Sequence, residues 1–222
     1  MKNVPAYTFD PVRFHRLLEE NIMVGGDLRA NLLLAMAKSL VVKASPTMLR
    51  ALDILRFDEE RWFDTTDDPE CSYASQCYVV VLASVLEDAP PVSNASMGVL
   101  LRVLPILGWS EERVEVLCRG QPLSQLVHSS QNHLFYFVFG PGQHGSWLSP
   151  ESVKSFLDDI QAVESNFRNP SEEMLRSVSE HVVPWTLPRQ QPQALITDAY
   201  AEICRRLETA SGRKHALFMP YE

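Results

Sequence analysis

The 222 residues, 45% of them hydrophobic, suffice for one sizeable core and are too apolar for a disordered chain. A net charge of −8 argues against a nucleic-acid partner, because phosphate binding needs a basic face. The charge is unevenly placed: Asp58, Glu59, Glu60, Asp64, Asp67, Asp68 and Glu70 are offset only by Arg61, so this short segment carries −6 and the rest of the chain −2.

Helix starts are legible along the chain. Asp10-Pro11 combines an N-cap with a proline at the first helical position and predicts a helix to about Met23, with Phe14, Leu17, Leu18 and Ile22 at helical spacing. Gly25-Gly26 stops it. Asp27 caps a second helix through Leu40, and Ser45-Pro46 opens a third with Leu49, Leu52 and Leu55 inward. The apolar run from Cys77 to Leu86 reads as a buried helix stopped before Pro90-Pro91. Met97 to Leu107 is apolar nearly all round and should kink or end at Pro105. Ser110, with Glu111 and Glu112 behind it, begins a helix that stops at Gly120, and Pro122 to Val127 reads as a short helix.

The pattern changes near residue 132. Leu134 to Phe139 is dense in aromatics between Asn132 and Gly140 and predicts a buried strand. Ser149-Pro150-Glu151 opens a helix to about Phe167, and Ser171-Glu172-Glu173 another to about Val182. After Pro184, Pro188 and Pro192 a last helix runs from about Ala194 to Ala210 and ends at Gly212. Ala216 to Met219 is a short apolar run placed to pair with the strand. The expected fold is mostly α (α+β): a helical protein with a minimal two- or three-stranded sheet near its C-terminal half. It forms one compact domain over 1–222, divisible if at all into a helical part, 1–131, and an α+β part, 132–222.

The N-terminus does not resemble an export signal, and no apolar run approaches the roughly 20 residues that span a bilayer. Cys71, Cys77, Cys118 and Cys204 show no C-x-x-C spacing and read as packed thiols of a reducing compartment. The expectation is a soluble, cytoplasmic protein without a membrane or cofactor.

Few motifs carry chemistry. Gly140-Pro141-Gly142-Gln143-His144-Gly145 spells a dinucleotide fingerprint, but the next helix cap is Ser149, and 168–172 makes no second parallel strand. His144 and Trp147 remain a loop candidate for a ligand or partner; alternatively Trp147 folds back to cover the sheet. His128, His133, His144 and His181 lack carboxylates or cysteines at ligand spacing, so no metal site is assigned. Motifs for a hydrolase serine, a zinc protease or a phosphate loop are absent, and a pair such as Cys118 with His128 or His181 is no better supported than chance. Whether the chain is an enzyme stays open, leaning to not. The acidic segment is the most distinctive feature: either a solvated face, or a patch that draws in a basic protein partner with Trp62 as its anchor.

Three stretches carry a resemblance: Leu107-Gly108-Trp109-Ser110 with Leu117 and Gly120-Gln121-Pro122-Leu123; Gly145 to Val153; and the closing helix Tyr200 to Ala210 followed by Gly212 and Leu217-Phe218-Met219. From Leu107 onward the chain resembles the bacterial YfbM-like domain-of-unknown-function group. The resemblance implies a small α+β module, an association with toxin–immunity or defence loci, and no catalytic residue. The expected function is thus a non-catalytic protein-binding protein, in concrete form an immunity-type protein occluding a bacterial toxin through Asp58, Glu59, Glu60, Trp62, Asp64, Asp67, Asp68 and Glu70. The alternatives are a small-ligand binder or enzyme using the Gly140–Trp147 loop, and a structural subunit of a larger assembly. The oligomeric state is left open.

Overall fold

The computed structural model describes residues 3–18, 85–122, 146–186 and 190–219. The acidic segment 58–70, the helices expected between residues 27 and 84, the strand expected at 134–139, and His128, His133 and His144 lie outside the described residues. The elements in chain order are β1 (Asn3–Val4), β2 (Tyr7–Phe9), α1 (Pro11–Leu18), β3 (Glu87–Asp88), β4 (Val92–Ser93), α2 (Asn94–Ile106), α3 (Glu111–Arg119), β5 (Gln121–Pro122) and β6 (Ser146–Leu148). They continue with α4 (Pro150–Ala162), α5 (Glu164–Arg168), α6 (Glu172–His181), a 3-10 turn (Val183–Trp185), α7 (Pro192–Arg213) and β7 (Ala216–Met219). This is the mostly-α, α+β class expected.

Serines start four of the helices by one mechanism. Ser93, Ser110, Ser149 and Ser171 are extended, and each hydroxyl accepts a hydrogen bond from the backbone N–H three residues on: Ser96, Arg113, Ser152 and Met174. Each cap satisfies an orphan donor and contributes about 1 kcal/mol. Helix ends depart further from expectation. The helix expected to run from Pro150 to Phe167 breaks at Val163 (φ −104°, ψ 13°) into α4 and α5. The final helix does not stop at Gly212, which lies inside α7. It stops at Lys214, held left-handed (φ 57°), where Lys214 and His215 N–H groups bond back to Ser211 and Ala210 carbonyls. Those bonds close the last turn and offset the cost of a side chain in that region.

The chain divides into two compact units: Met1–Thr8, Asp88–Gln121 and Trp147–Met219 form the first, and Phe9–Glu87, Pro122–Ser146 and Pro220–Glu222 the second. The division expected at 131/132 falls within the second unit, among residues not described. There, α1 begins as the sequence implies, with the Asp10 carboxylate accepting from Val12 N–H at 2.9 Å, and Phe9 meets Phe14 edge to face at 5.9 Å between centroids.

The first unit is built around α7. Leu195, Ile196, Ala199, Ile203, Leu207 and Ala210 recur at three- and four-residue intervals and are buried, forming one apolar face that packs chiefly on α4 and α2. A sheet of order β3-β2-β7-β6-β5 accompanies the helices, and β1 pairs antiparallel with β4 in register Asn3↔Ser93 and Val4↔Val92. Strands β2, β6 and β7 are buried along their whole length. Ala216–Met219 does form a strand, and its neighbours are β2 and β6. The sheet therefore draws on N-terminal residues and on Ser146-Trp147-Leu148, which carry no strand signal of their own: three residues are too few to show a period of two.

Among the described residues Arg206 is the largest side chain that is fully buried, at 1% exposure. Its Nε donates to the Pro90 carbonyl at 3.0 Å and its NH2 to the Val4 carbonyl at 2.5 Å, while Glu202, one turn earlier, accepts from Ser93 N–H at 2.7 Å. Two adjacent turns of α7 thereby hold both strands of the β1–β4 pair. Burial pulls the guanidinium down to about 10, partly countered by Glu202, so it stays charged at neutral pH. Replacing Arg206 with Met keeps the aliphatic stem but removes its hydrogen bonds to two partly buried carbonyls. The expected loss is about 3 kcal/mol in urea denaturation. Arg206→Lys should recover only part of it, because one ammonium cannot reproduce the planar fork.

Candidate functional site

A cleft of ≈ 750 Å³ opens in the first unit where α2 lies between α3 and α6. Its making begins with α2, which is apolar on nearly every side. Val99, Leu100, Val103 and Leu104 are buried in the core, which leaves Leu101 and Pro105, one turn apart, on the outer face. Gly108 (φ 87°) reverses the chain after α2 so that α3 packs back beside it. The end of α6 approaches from the other side, close enough that a Cβ on Gly98 would touch Val182 at 3.7 Å.

The floor of this cleft is apolar and its walls are charged. Leu101, Pro105, Ile106, Val114 and Val182 supply the floor. Glu111 and the ion pair Glu115–Arg119 (2.9 Å) stand on α3, Arg102 on α2, and Glu173, Arg176, Glu180 and His181 on α6. Leu101 is 41% exposed, an unusual state for a leucine bordered by three helices. Just past this wall Trp185 is 85% exposed, the most exposed large apolar side chain among the described residues.

A second, shallower depression of ≈ 530 Å³ lies between α3 and α4. Its cation is already engaged: the Arg113 guanidinium sits 5.2 Å from the Trp109 ring and 5.0 Å from Phe156, and pairs with Asp159. Trp109 and Phe156 stack at 6.1 Å. This cluster ties α3 to α4 and keeps Arg113 occupied, leaving the carboxylates Glu112 and Glu151 as the remaining charges of the depression.

Of the residues singled out in the sequence, Trp147 lies in β6 rather than in a loop and is only 9% exposed, so it covers the sheet instead of presenting an anchor. Its indole Nε1 is buried without a hydrogen-bond partner among the described residues. His181 ends α6 and lines the cleft wall. Cys118 and Cys204 are buried free thiols. Burial pushes the Cys118 thiol up to about 12, against smaller opposing pulls from Arg119 and Arg206, and burial likewise pushes Cys204 up to about 11. Burial therefore favours the protonated form of both thiols at neutral pH. Among the described residues no three histidine, cysteine or carboxylate side chains cluster as a metal site would require, and no helix is long and apolar enough to cross a membrane.

Sequence reasoning missed the cleft. Its charged side chains are ordinary helix-surface residues until the helices pack. The one local signal was Arg102 and Pro105 interrupting an otherwise continuous apolar run. No family model, characterised protein or solved structure matches this chain. The resemblance to the YfbM-like group thus receives neither support nor contradiction from relatives.

The buried thiols imply a pH dependence whose sign follows from the direction of the shifts. Folded Cys118 keeps its proton to about pH 12, whereas the unfolded thiol releases it near 9.0, so over that interval the native state binds more protons. The stability this contributes is complete below pH 9 and declines as pH rises through 12; Cys204 adds the same sign up to about 11. Urea denaturation between about pH 8 and 10.5 should show a shallower decline in Cys118→Ala than in the native sequence, provided each is compared with its own value at the lower pH. Identical declines would mean that Cys118 is accessible to solvent.

Proposed function

We propose that this chain is a protein-binding protein without catalytic chemistry of its own, acting by occupying a surface of its partner. In its most concrete form it is an immunity-type protein that binds and occludes a bacterial toxin. The observation that carries the reading is the cleft on the first unit, in which an apolar floor, exposed at Leu101 and Pro105, is bordered by charged helix faces. Interfaces place an apolar centre within a polar rim in this manner. The neighbouring Trp185, exposed over most of its surface, belongs to the residue type most enriched at the centres of binding energy.

The acidic segment from Asp58 to Glu70 supports a basic partner. Seven carboxylates against one arginine create a field that accelerates encounter at low ionic strength and weakens as salt screens it. Asp58, Glu59, Glu60, Trp62, Asp64, Asp67, Asp68 and Glu70 are the residues proposed to make that approach. The two features act at different stages of binding. The segment governs how fast the partner arrives, and the cleft governs how long it stays.

Affinity capture of the tagged chain from its native cells, at low and moderate salt, is the direct test. A stoichiometric basic partner should be recovered at low salt and in smaller amount at moderate salt. Changing Asp64, Asp67 and Asp68 together to Lys should slow association by about tenfold or more and flatten its dependence on salt. Absence of any stoichiometric partner, combined with thermal stabilisation of the chain by a small metabolite, would replace this reading with ligand binding.

A further inference from the structure

We propose that the cleft between α2, α3 and α6 is a docking groove for one amphipathic α-helix of the partner, with an apolar stripe facing Leu101 and Pro105 and a flank that reads basic, acidic, basic at one-turn intervals. The proposal rests on the protein-binding reading and specifies the partner's chemistry.

Two surface patterns define the occupant. The first is the floor. Leu101 and Pro105 stand at i and i+4 on the outer face of α2, and ridges from α3 and α6 flank them. An apolar strip one helix wide, lying in a trough between two helices, is the shape that a helix with apolar residues at i, i+3 or i+4 and i+7 fills. The second is the α6 wall. Glu173, Arg176 and Glu180 follow one another at three and four residues, so a negative, a positive and a negative group stand in a line along one face, all lining the cleft. Among the described residues none of these three makes an ion pair, although i,i+3 and i,i+4 neighbours of opposite charge are available within the set. A helix laid alongside answers that ladder with the opposite order of charges at the same spacing.

The energetics assign different roles to the two patterns. Exposed ion pairs contribute little each, so the ladder selects register, while burial of the floor supplies the affinity. A small-molecule occupant fits less well. Such sites fix their ligand with a few buried convergent polar groups. The buried side-chain polar atoms that lack a partner among the described residues are Trp147 Nε1 and His215 Nδ1, and neither residue lines this cleft. The cleft's own polar atoms are the exposed ends of long side chains. Polyanions are disfavoured as well by the carboxylates at both ends of the α6 ladder.

The test uses the full chain and three fluorescent helical peptides of about five turns that share one leucine stripe. The first carries a Lys-Glu-Lys flank, the second Glu-Lys-Glu, and the third the first peptide's residues in scrambled order. Fluorescence anisotropy should show the first binding at least about tenfold more tightly than the other two. Leu101→Asp should remove about tenfold or more of that affinity. The exposed pair Glu173→Lys and Glu180→Lys should shift preference to the Glu-Lys-Glu peptide without altering the thermal melt. Equal binding of all three peptides, or no effect of Leu101→Asp, overturns the groove. If the Leu101→Asp chain still captures its cellular partner and no peptide binds, the groove fails while the protein-binding reading stands. If neither a partner nor a peptide binds, both fail.

Discussion

Arg206 is a charge held almost entirely out of water, and the arrangement of the first unit follows from what that demands. A buried guanidinium costs several kcal/mol unless hydrogen bonds replace its hydration. The Val4 and Pro90 carbonyls provide two such bonds, and Glu202 on the preceding turn of α7 provides a favourable field. Val4 and Pro90 lie 202 and 116 positions from Arg206 in sequence. A packing that shifted α7 along its axis, or left β1 unpaired with β4, would leave both a cation and two carbonyls without partners. The interaction thus contributes modest net stability and strong discrimination among alternative packings.

With α7 committed to that role, the other helices have limited choices. Its apolar face is covered by α4 and by the inner side of α2, so α2 turns its remaining side outward between α3 and α6. The cleft is the consequence: a helix that is apolar nearly all round cannot be wholly buried when only two neighbours flank its outer side. An apolar strip left in that position is a cost in the isolated chain, and it becomes a source of affinity once a partner covers it. The serine caps matter here because they hold the starts of α2, α3 and α6 in place. A groove whose walls are already ordered loses little entropy on binding.

The elements that can be read from the sequence share one property: their signals are local. Ser110, Ser149 and Ser171 cap helices through bonds to residues three positions away, and Gly120 ends α3 within its own turn. The elements that differ from expectation depend on distant partners. Ser146-Trp147-Leu148 is a strand because β7 and β5 lie beside it, and Lys214 accepts a left-handed backbone because the following residues must enter β7. Trp147 resembles an exposed anchor in the linear chain, and only the sheet shows that its ring is covered.

Composition, spacing and capping chemistry within a few residues were enough to establish the mostly helical class and, among the described residues, the helix starts marked by Asp10, Ser110, Ser149 and Ser171. They also established the concentration of negative charge between Asp58 and Glu70. Packing alone established that the N-terminal strand Tyr7–Phe9 joins Ala216–Met219, that Arg206 is buried rather than solvated, and that Leu101, Arg176 and their neighbours line one cleft. One cause underlies all three. Burial and proximity are properties of packed surfaces, and an arginine on a helix reads identically whether the face it occupies meets water or the Val4 carbonyl at the far end of the chain.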